Sequence, residues 1–205
     1  MKRCLPVLSV AFAALALLAS CATNKLVTQQ SNPDYVGKSF KSVMVVGVTR
    51  DEIVRRTFED RVVALLGQRG VKGIPAYAAV GTRGKIEEAE LRQAIAQSGA
   101  EGVLLTRVIR VDRSSGYVAA TTVSVGYGGG GVYGYYSGVW QTVDVPAQKI
   151  AGPSWTVSET RLFDARNGAL AWTGVVDTRE NHDFAAVLTQ YVDLIFNAMV
   201  GDRVL

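Results

Sequence analysis

The sequence has few of the side chains that most enzymes and metalloproteins use. Only two cysteines occur, Cys4 and Cys21, and His182 is the one histidine. Because both cysteines lie within the first 21 residues, the rest of the chain has no thiol for a disulfide, a metal or a nucleophile. One histidine without a thiol does not make any of the usual zinc ligand sets. We therefore expect no metal site, no cofactor and no catalytic residues.

The carboxylates do not form a catalytic motif either, and no Gly-x-Ser-x-Gly elbow occurs. The cluster Glu87, Glu88 and Glu90 indicates the solvated face of a helix, and Glu159 and Asp164 are expected at wet positions of a hairpin. The sequence therefore predicts that the protein is not an enzyme. A periplasmic hydrolase stays as an alternative, because catalytic carboxylates can lie far apart in a chain.

Two other features of the sequence bear on possible chemistry. His182 stands next to Asp183 before the last predicted helix, where a solvent-facing residue of the cap region is the favoured interpretation. Trp155 and Trp172 suit the lining of a sugar groove, but such side chains more often pack in a core or on a sheet face.

The first residues indicate export. Lys2 and Arg3 precede an almost wholly apolar run, Leu5 to Leu18, which is shorter than the ~20 residues of a membrane span. The run ends in Leu18-Ala19-Ser20-Cys21, which resembles the lipobox of bacterial lipoproteins. That resemblance implies a diacylglyceryl group on the Cys21 thiol, cleavage before it and acylation of the new amino group. Ala22, in place of an aspartate, implies sorting to the periplasmic face of the outer membrane.

Charge argues against a nucleic-acid partner. The chain has 22 basic and 18 acidic residues, and removal of the signal leaves 20 against 18. No basic run or stripe remains, so we expect no nucleic-acid binding.

The pattern along the chain predicts three segments: a signal peptide (1–20), a lipidated N-terminus with a polar tether (21–40) and a single periplasmic domain (41–205). The continuous apolar run Ser42 to Val48 predicts a strand buried on both faces. A capping box of Thr49 and Glu52 is expected to start the next helix. The predicted order is β-α-β-α-β, then a hairpin with its turn at Ala165–Gly168, then a helix from Phe184 to Val200. The fold class is α+β, a mixed sheet with helices largely on one side.

This order of elements, behind a lipobox, is similar to a group of envelope proteins. The group includes the curli-secretion channel lipoprotein, the penicillin-binding-protein activator lipoprotein and the amino-terminal domain of TolB. The hairpin Leu162-Phe163-Asp164 … Leu170-Ala171-Trp172 and the closing helix carry the resemblance. It implies a periplasmic module that binds partners or assembles; no functional residue is carried over.

Residues 114–143 contain no charged side chain, although 20% of the chain is charged. Within them, Gly126 to Gly131 matches the dinucleotide-loop pattern G-x-G-x-x-G. We reject that interpretation, because no helical period follows and no acidic residue stands about twenty positions on. The alternation of side chains predicts instead a long hairpin with a glycine and tyrosine tip. Its candidate interaction residues are Tyr117, Tyr127, Tyr133, Tyr135, Tyr136 and Trp140.

Three interpretations of this hairpin stay open: a mobile surface loop, a partner-binding or self-assembly edge, and a hairpin that inserts into the membrane after oligomerisation. We expect a non-enzymatic lipoprotein, anchored through Cys21, whose domain binds an envelope protein or itself. The alternative is a subunit of an oligomeric outer-membrane secretion channel that inserts residues 114–143.

Overall fold

The computed structural model describes residues 23–81, 85–113, 131–140, 154–179 and 183–205. A six-stranded sheet has the order β1-β6-β5-β4-β2-β3, in which β2 is parallel to β3 and β4 and the other neighbours are antiparallel. The strands are β1 (Asn24–Ser31), β2 (Ser42–Val48), β3 (Lys72–Pro75), β4 (Gly102–Arg113), β5 (Ser154–Asp164) and β6 (Leu170–Arg179). The helices are α1 (Glu52–Gln68), α2 (Ala76–Val80), α3 (Glu88–Ser98), α4 (Gly131–Trp140) and α5 (Phe184–Gly201). The predicted α+β class is confirmed.

The central strand β2 shows why the sheet is covered on both faces. Its side chains alternate between two hydrophobic clusters, with Val43 and Val45 in one and Met44 and Val46 in the other. Alternate residues of a strand point to opposite faces, so the clusters lie on opposite sides of the sheet. Helices α1 and α5 cover the first face, and α2, α3 and α4 cover the second. The helices thus divide between the two sides instead of lying largely on one.

The segment expected to be a tether is mostly part of the fold. Asn24–Ser31 forms the edge strand β1, which pairs with β6 from Asn24↔Thr178 to Ser31↔Trp172. A 3-10 turn at Pro33–Tyr35 follows, and Tyr35 and Phe40 are buried in the core. The prediction of an irregular tether is therefore wrong for residues 24–35, and Phe40 also belongs to the core. The strand carries a polar sequence because its ladder partners, not its own periodicity, hold it.

The predicted hairpin is also wrong over its second half, because Gly131–Trp140 is the helix α4. Val132 and Tyr136, one helical turn apart, are buried against the sheet and α3. Glycine is unfavourable in a helix by ~1 kcal/mol, so tertiary packing stabilises this one. A helix does follow the glycine run, which removes one of the two reasons for rejecting the dinucleotide loop. Residues 114–130 and 141–153 lie outside the described residues.

Smaller differences concern the ends of elements. Helix α1 is capped by Asp51, which accepts from the amides of Ile53 and Val54, so the predicted capping box of Thr49 and Glu52 is wrong. Strand β3 ends at Pro75 because Ala76 already opens α2. Gly168 supplies the positive φ of the β5–β6 turn, and Asp183 caps α5.

Helix α5 is the one helix, in the ranges that the structure covers, long and apolar enough to cross a membrane by length and composition alone, with a mean hydropathy of 1.4. Core helices pass the same test. One face of α5 is buried in the first hydrophobic cluster through Tyr191, Val192, Ile195, Phe196 and Met199. The helix belongs to the core.

Candidate functional site

One end of the sheet carries a cavity of about 350 Å³. We call it the pocket end: β2 stops there at Val48, β6 stops at Arg179, β1 begins at Asn24, and α1 and α5 have their first turns there. The opposite end, where residues 165–169 join β5 to β6, is the turn end. The cavity separates the first turns of α1 and α5 from the sheet.

The cavity exists because the sheet presents short hydroxyl side chains where a core would need larger ones. Its lining includes Thr106, Thr156, Ser158 and Thr178, which come from β4, β5 and β6. We call these four residues the hydroxyl floor. The helices contribute apolar walls, namely Val54, Phe58, Phe184, Val187 and Leu188. The site therefore combines an apolar volume with a weakly polar floor, a combination typical of small-ligand pockets.

The inner limit of the pocket is a short hydroxyl chain. The Tyr191 hydroxyl lies 2.8 Å from the Thr160 hydroxyl, which lies 2.8 Å from that of Thr106. Burial raises the pKa of Tyr191, so this phenol is neutral at physiological pH. The floor is thus uncharged where it meets the core.

Exposed apolar side chains gather at the pocket end. Of the seven large ones exposed in the described ranges, four lie there, between 42 and 77% exposed. They are Ile53, Val108, Trp155 and Phe184, and we call them the apolar rim. The Arg179 guanidinium lies 6.0 Å from the centre of the Trp155 ring. An arginine beside exposed aromatic and aliphatic groups resembles the composition of a membrane–water interface.

Asn24 ties the start of the domain to the pocket wall. Its side-chain amide donates to the carbonyl of Val187 at 2.9 Å and accepts from the Thr178 hydroxyl at 2.6 Å. Val187 and Thr178 both line the cavity. Cys21, the predicted lipidation site, lies outside the described residues but only three positions before Asn24.

The described tyrosines of the charge-free segment lie on the second face of the sheet. Tyr136 is 1% exposed, and its hydroxyl accepts from the amide and donates to the carbonyl of Ile86. The guanidinium of Arg92 lies over the ring of Tyr133, 3.7 Å from the centre of that ring. The Ser137 hydroxyl donates to Glu88. Tyr133, Tyr135 and Tyr136 are thus in contact with their own domain, and Tyr136 belongs to its core.

Tyr135 closes a buried charged cluster that the sequence did not reveal. Its hydroxyl donates to Glu159 Oε2 at 2.6 Å. Arg107 donates to the same oxygen at 2.8 and 2.9 Å, and Arg161 donates to Oε1 at 2.7 and 2.9 Å. Both guanidiniums also lie over the Tyr135 ring, at 4.8 and 4.2 Å. The cluster fastens α4 to β4 and β5.

The cluster sets the ionisation of its members. Burial alone raises the pKa of Glu159, but the Tyr135 hydrogen bond and the charges of Arg161 and Arg107 outweigh it and hold that pKa below its ordinary range. Burial and the Glu159 charge raise the pKa of Tyr135. Glu159 is 3% exposed, so its predicted wet position is wrong. The same holds for Asp164, which is 1% exposed and accepts from Arg166 and Tyr35.

A second buried pair, Arg55 and Glu59, lies on α1 beside the pocket. Glu59 accepts from the amides of Gly47 and Tyr77 and from Arg55 Nε at 3.2 Å. Here burial dominates and raises the pKa of Glu59. Arg55 also donates to the carbonyl of Gly81, so the pair holds α1, β2 and α2 together. The i,i+4 spacing on an otherwise apolar helix face was the available sequence signal.

Tyr117, Tyr127 and His182 lie outside the described residues, and Trp140 ends α4, in a turn whose side chains are not described. Trp172 is buried near the turn end, whereas Trp155 is exposed at the pocket end, so the two do not form a sugar groove. No group of three or more His, Cys, Asp or Glu side chains able to hold a metal ion occurs among the residues described.

No family model and no curated protein matches this chain. Several solved structures are similar to this chain. A leucine-to-methionine variant of the PelC dodecamer from Paraburkholderia phytofirmans is 16% identical over 82% of this chain and 94% of its own, with a TM-score of 0.45. Lipoprotein GNA1162 from Neisseria meningitidis is 18% identical over 78% of this chain and 98% of its own, with a TM-score of 0.41. We draw no function from likenesses with TM-scores below 0.5.

Proposed function

We propose that this protein is a non-enzymatic lipoprotein of the bacterial cell envelope. Cys21 anchors it to the periplasmic face of the outer membrane, and the α+β domain acts as a protein-interaction or assembly module. The pocket end faces the membrane, and the turn end faces the periplasm and the partner.

The observation that carries the proposal is the position of Asn24. Strand β1 begins three residues after Cys21, and three residues span at most about 10 Å when fully extended. The same end of the sheet bears the apolar rim. A lipid on Cys21 therefore holds Ile53, Val108, Trp155 and Phe184 next to the bilayer surface instead of letting the domain hang on a long tether.

The rim and the anchor support each other energetically. A large apolar side chain gains roughly 1.5–3 kcal/mol when it moves fully out of water, and half-exposed residues gain part of that at an interface. Trp155 beside Arg179 suits the headgroup region, where aromatic rings and arginine stems concentrate. Several such contacts orient a domain that the lipid alone would leave free to rotate.

The pocket lining favours binding over acid–base chemistry. Its polar members are the hydroxyl floor, Thr49, Tyr191 and the arginines Arg55, Arg107 and Arg179. Two of these arginines are held by buried glutamates, Arg55 by Glu59 and Arg107 by Glu159. Groups fixed in this way position a ligand or a neighbouring element more readily than they transfer a proton.

We do not propose the channel subunit that inserts residues 114–143. Insertion of the 131–140 part as a strand would require α4 to leave the sheet, and Tyr136 would leave the core. Glu159, Arg107 and Arg161 would lose their cover and one hydrogen-bond donor. Such a change opposes the contacts that hold α4 in place.

Site-specific photo-crosslinking in intact cells tests the proposal. A photoreactive residue is placed at Ile53 or Trp155 on the rim, and at the exposed Lys41 or Lys72 near the turn end. We expect lipid adducts from the rim positions and protein adducts, with a partner or a second copy, from the lysine positions. Mass spectrometry of the N-terminal peptide should show an acylated Cys21.

The control is Cys21→Ser, which removes the thioether site and should abolish rim-to-lipid adducts. Lipid adducts of equal yield from both ends would contradict the orientation. A chain that lacks acyl groups on Cys21 yet fractionates normally would contradict the anchor.

A further inference from the structure

We propose that the cavity at the pocket end binds an acyl chain carried by the protein's own Cys21. The inference rests on the proposed lipid anchor and assigns its occupant to a specific cavity. It starts from Asn24, whose side chain bonds to Val187 and Thr178, two residues that line the cavity.

Reach allows the assignment. Asn24 is 7% exposed and fixed by a ladder partner and two side-chain hydrogen bonds. Cys21 lies within about 10 Å of it along the chain. A thioether-linked lipid at that position is within reach of the pocket end, where two rim residues, Phe184 and Val108, also line the cavity.

The shape and chemistry of the cavity suit one hydrocarbon chain. Its volume of about 350 Å³ is at the small end of the ~300–1,000 Å³ range of ligand pockets. The helix walls are aliphatic or aromatic, and the hydroxyl floor adds threonine methyl groups. The deep end is closed by the Tyr191, Thr160 and Thr106 hydroxyls, which bond to one another instead of reaching toward a ligand.

The energetics allow exchange with the bilayer. Each methylene gains a similar free energy on leaving water, whether it enters the membrane or an apolar cavity. Transfer between the two is therefore close to neutral per methylene, and fit and tethering decide the occupancy. A short linker gives an attached group an effective concentration of the order of millimolar, which favours the protein's own chain over a free phospholipid.

The consequence is a fixed approach to the membrane. With one chain held between α1 and α5 and the others in the bilayer, the lipid draws the apolar rim onto the surface. The cavity would then bind one acyl chain of the lipid anchor rather than a soluble metabolite.

The test uses the full lipidated protein from cells fed a diazirine analogue of palmitic acid. After irradiation, digestion and mass spectrometry, we expect an intramolecular adduct that joins the Cys21 peptide to peptides containing Val54–Phe58 or Phe184–Leu188. Val187→Trp, which fills the cavity from α5, should reduce that adduct at least tenfold. Gln190→Trp, at an exposed position of the same helix, should leave it unchanged.

Ser158→Leu fills the cavity from the floor and should act like Val187→Trp, and circular dichroism checks that each variant folds. Adducts that join the cavity peptides to free phospholipid, or no cavity adduct from an acylated Cys21, would overturn the assignment while the anchor stands. An unlabelled Cys21 would overturn the anchor itself, together with the inference.

Discussion

The same stretch of β4 and β5 presents two different surfaces on its two faces. Thr106 and Ser158 point to the first face, where they form the floor of the cavity, and their neighbours Arg107 and Glu159 point to the second. The second face is closed by α4, whose Tyr135 bonds to Glu159. The first face stays open at the pocket end. The charged groups are buried and hydrogen-bonded to one another, whereas the weakly polar hydroxyls line the cavity.

The two faces differ in role: the charged cluster on the second face has a structural role, and the cavity on the first face is the candidate binding site. A buried carboxylate between two arginines and a phenol has its hydrogen bonds taken up within the protein, so it holds an element in place. The cavity between the hydroxyl floor and the apolar walls has room for an occupant. Glu159 and Tyr135 do not line the cavity, whereas Arg107 and Arg55, each paired with a buried glutamate, do.

The largest expected effect is that of Glu159→Ala. It leaves the buried Arg107 and Arg161 without their carboxylate, and removal of one partner of a buried ion pair is unfavourable by about 3–5 kcal/mol. Urea denaturation measures the loss. The control is Glu52→Ala, which removes an exposed i,i+4 partner of Arg56 and should change the free energy of unfolding by no more than about 0.5 kcal/mol. Equal effects would contradict the contrast between covered and exposed charges.

Next in size is Tyr135→Phe, which removes the hydrogen bond to the Glu159 carboxylate but keeps the ring. Hydrogen bonds to charged groups contribute about 1.5–3 kcal/mol. We expect a loss of that order in the free energy of unfolding. Relative to the wild type, the amide exchange rate should increase more in α4 than in α3. If amide exchange in α4 stayed unchanged, the hydroxyl would not be what fastens the helix.

The two buried glutamates should respond to pH in opposite directions. The folded-state pKa of Glu159 is lowered, so its contribution to stability is present above the ordinary glutamate value of about 4.3 and is lost as pH falls through the folded pKa. The folded-state pKa of Glu59 is raised, so its contribution is present below the ordinary value and is lost as pH rises through the folded pKa.

Stability curves of the wild type, Glu159→Gln and Glu59→Gln between acid and neutral pH measure these contributions. The wild type minus Glu159→Gln difference should rise with pH, and the wild type minus Glu59→Gln difference should fall. If both stability differences changed with pH in the same direction, the opposite pKa shifts of the two carboxylates would be contradicted.

The smallest effect is expected for Ser158→Ala, next in sequence to Glu159. Its hydroxyl lines the cavity, so the loss should stay within about 1 kcal/mol, the range of an ordinary neutral hydrogen bond. Urea denaturation in parallel with Glu159→Ala gives the direct comparison. A loss as large as that of Glu159→Ala would mean that the floor is a structural network, and the cavity would no longer be a candidate binding site.

Much of the fold was readable in the sequence. The run Ser42–Val48 predicts the doubly buried strand β2, and the 3.6-residue spacing of Phe58, Val62 and Leu65 predicts α1. The turn with Gly168 predicts the β5–β6 hairpin. These features depend on contacts between near neighbours or on a hydrophobic period, so local sequence determines them.

The candidate site was not readable in this way. The Glu159 cluster draws its members from β4, α4 and β5, and the cavity draws its lining from α1, α5 and four strands. Tyr135 and Tyr136 looked like surface residues because nothing in a glycine-rich stretch shows what a helix will pack against. The register of β4 against β5 has to be known before Arg107 can be placed opposite Glu159.

The sequence by itself determined the α+β class, the doubly buried strand β2, the β5–β6 hairpin and the motif at Cys21, because periodicity, turns and short motifs are local. Only the tertiary structure decided that Asn24 begins a strand at the pocket end and that Gly131–Trp140 is a helix. The polar strand β1 has no hydrophobic period and is held by ladder bonds to residues about 150 positions away. Helix α4 overcomes its glycines only through contacts with α3 and the sheet. Both are stabilised by partners distant in the chain, which no local pattern records.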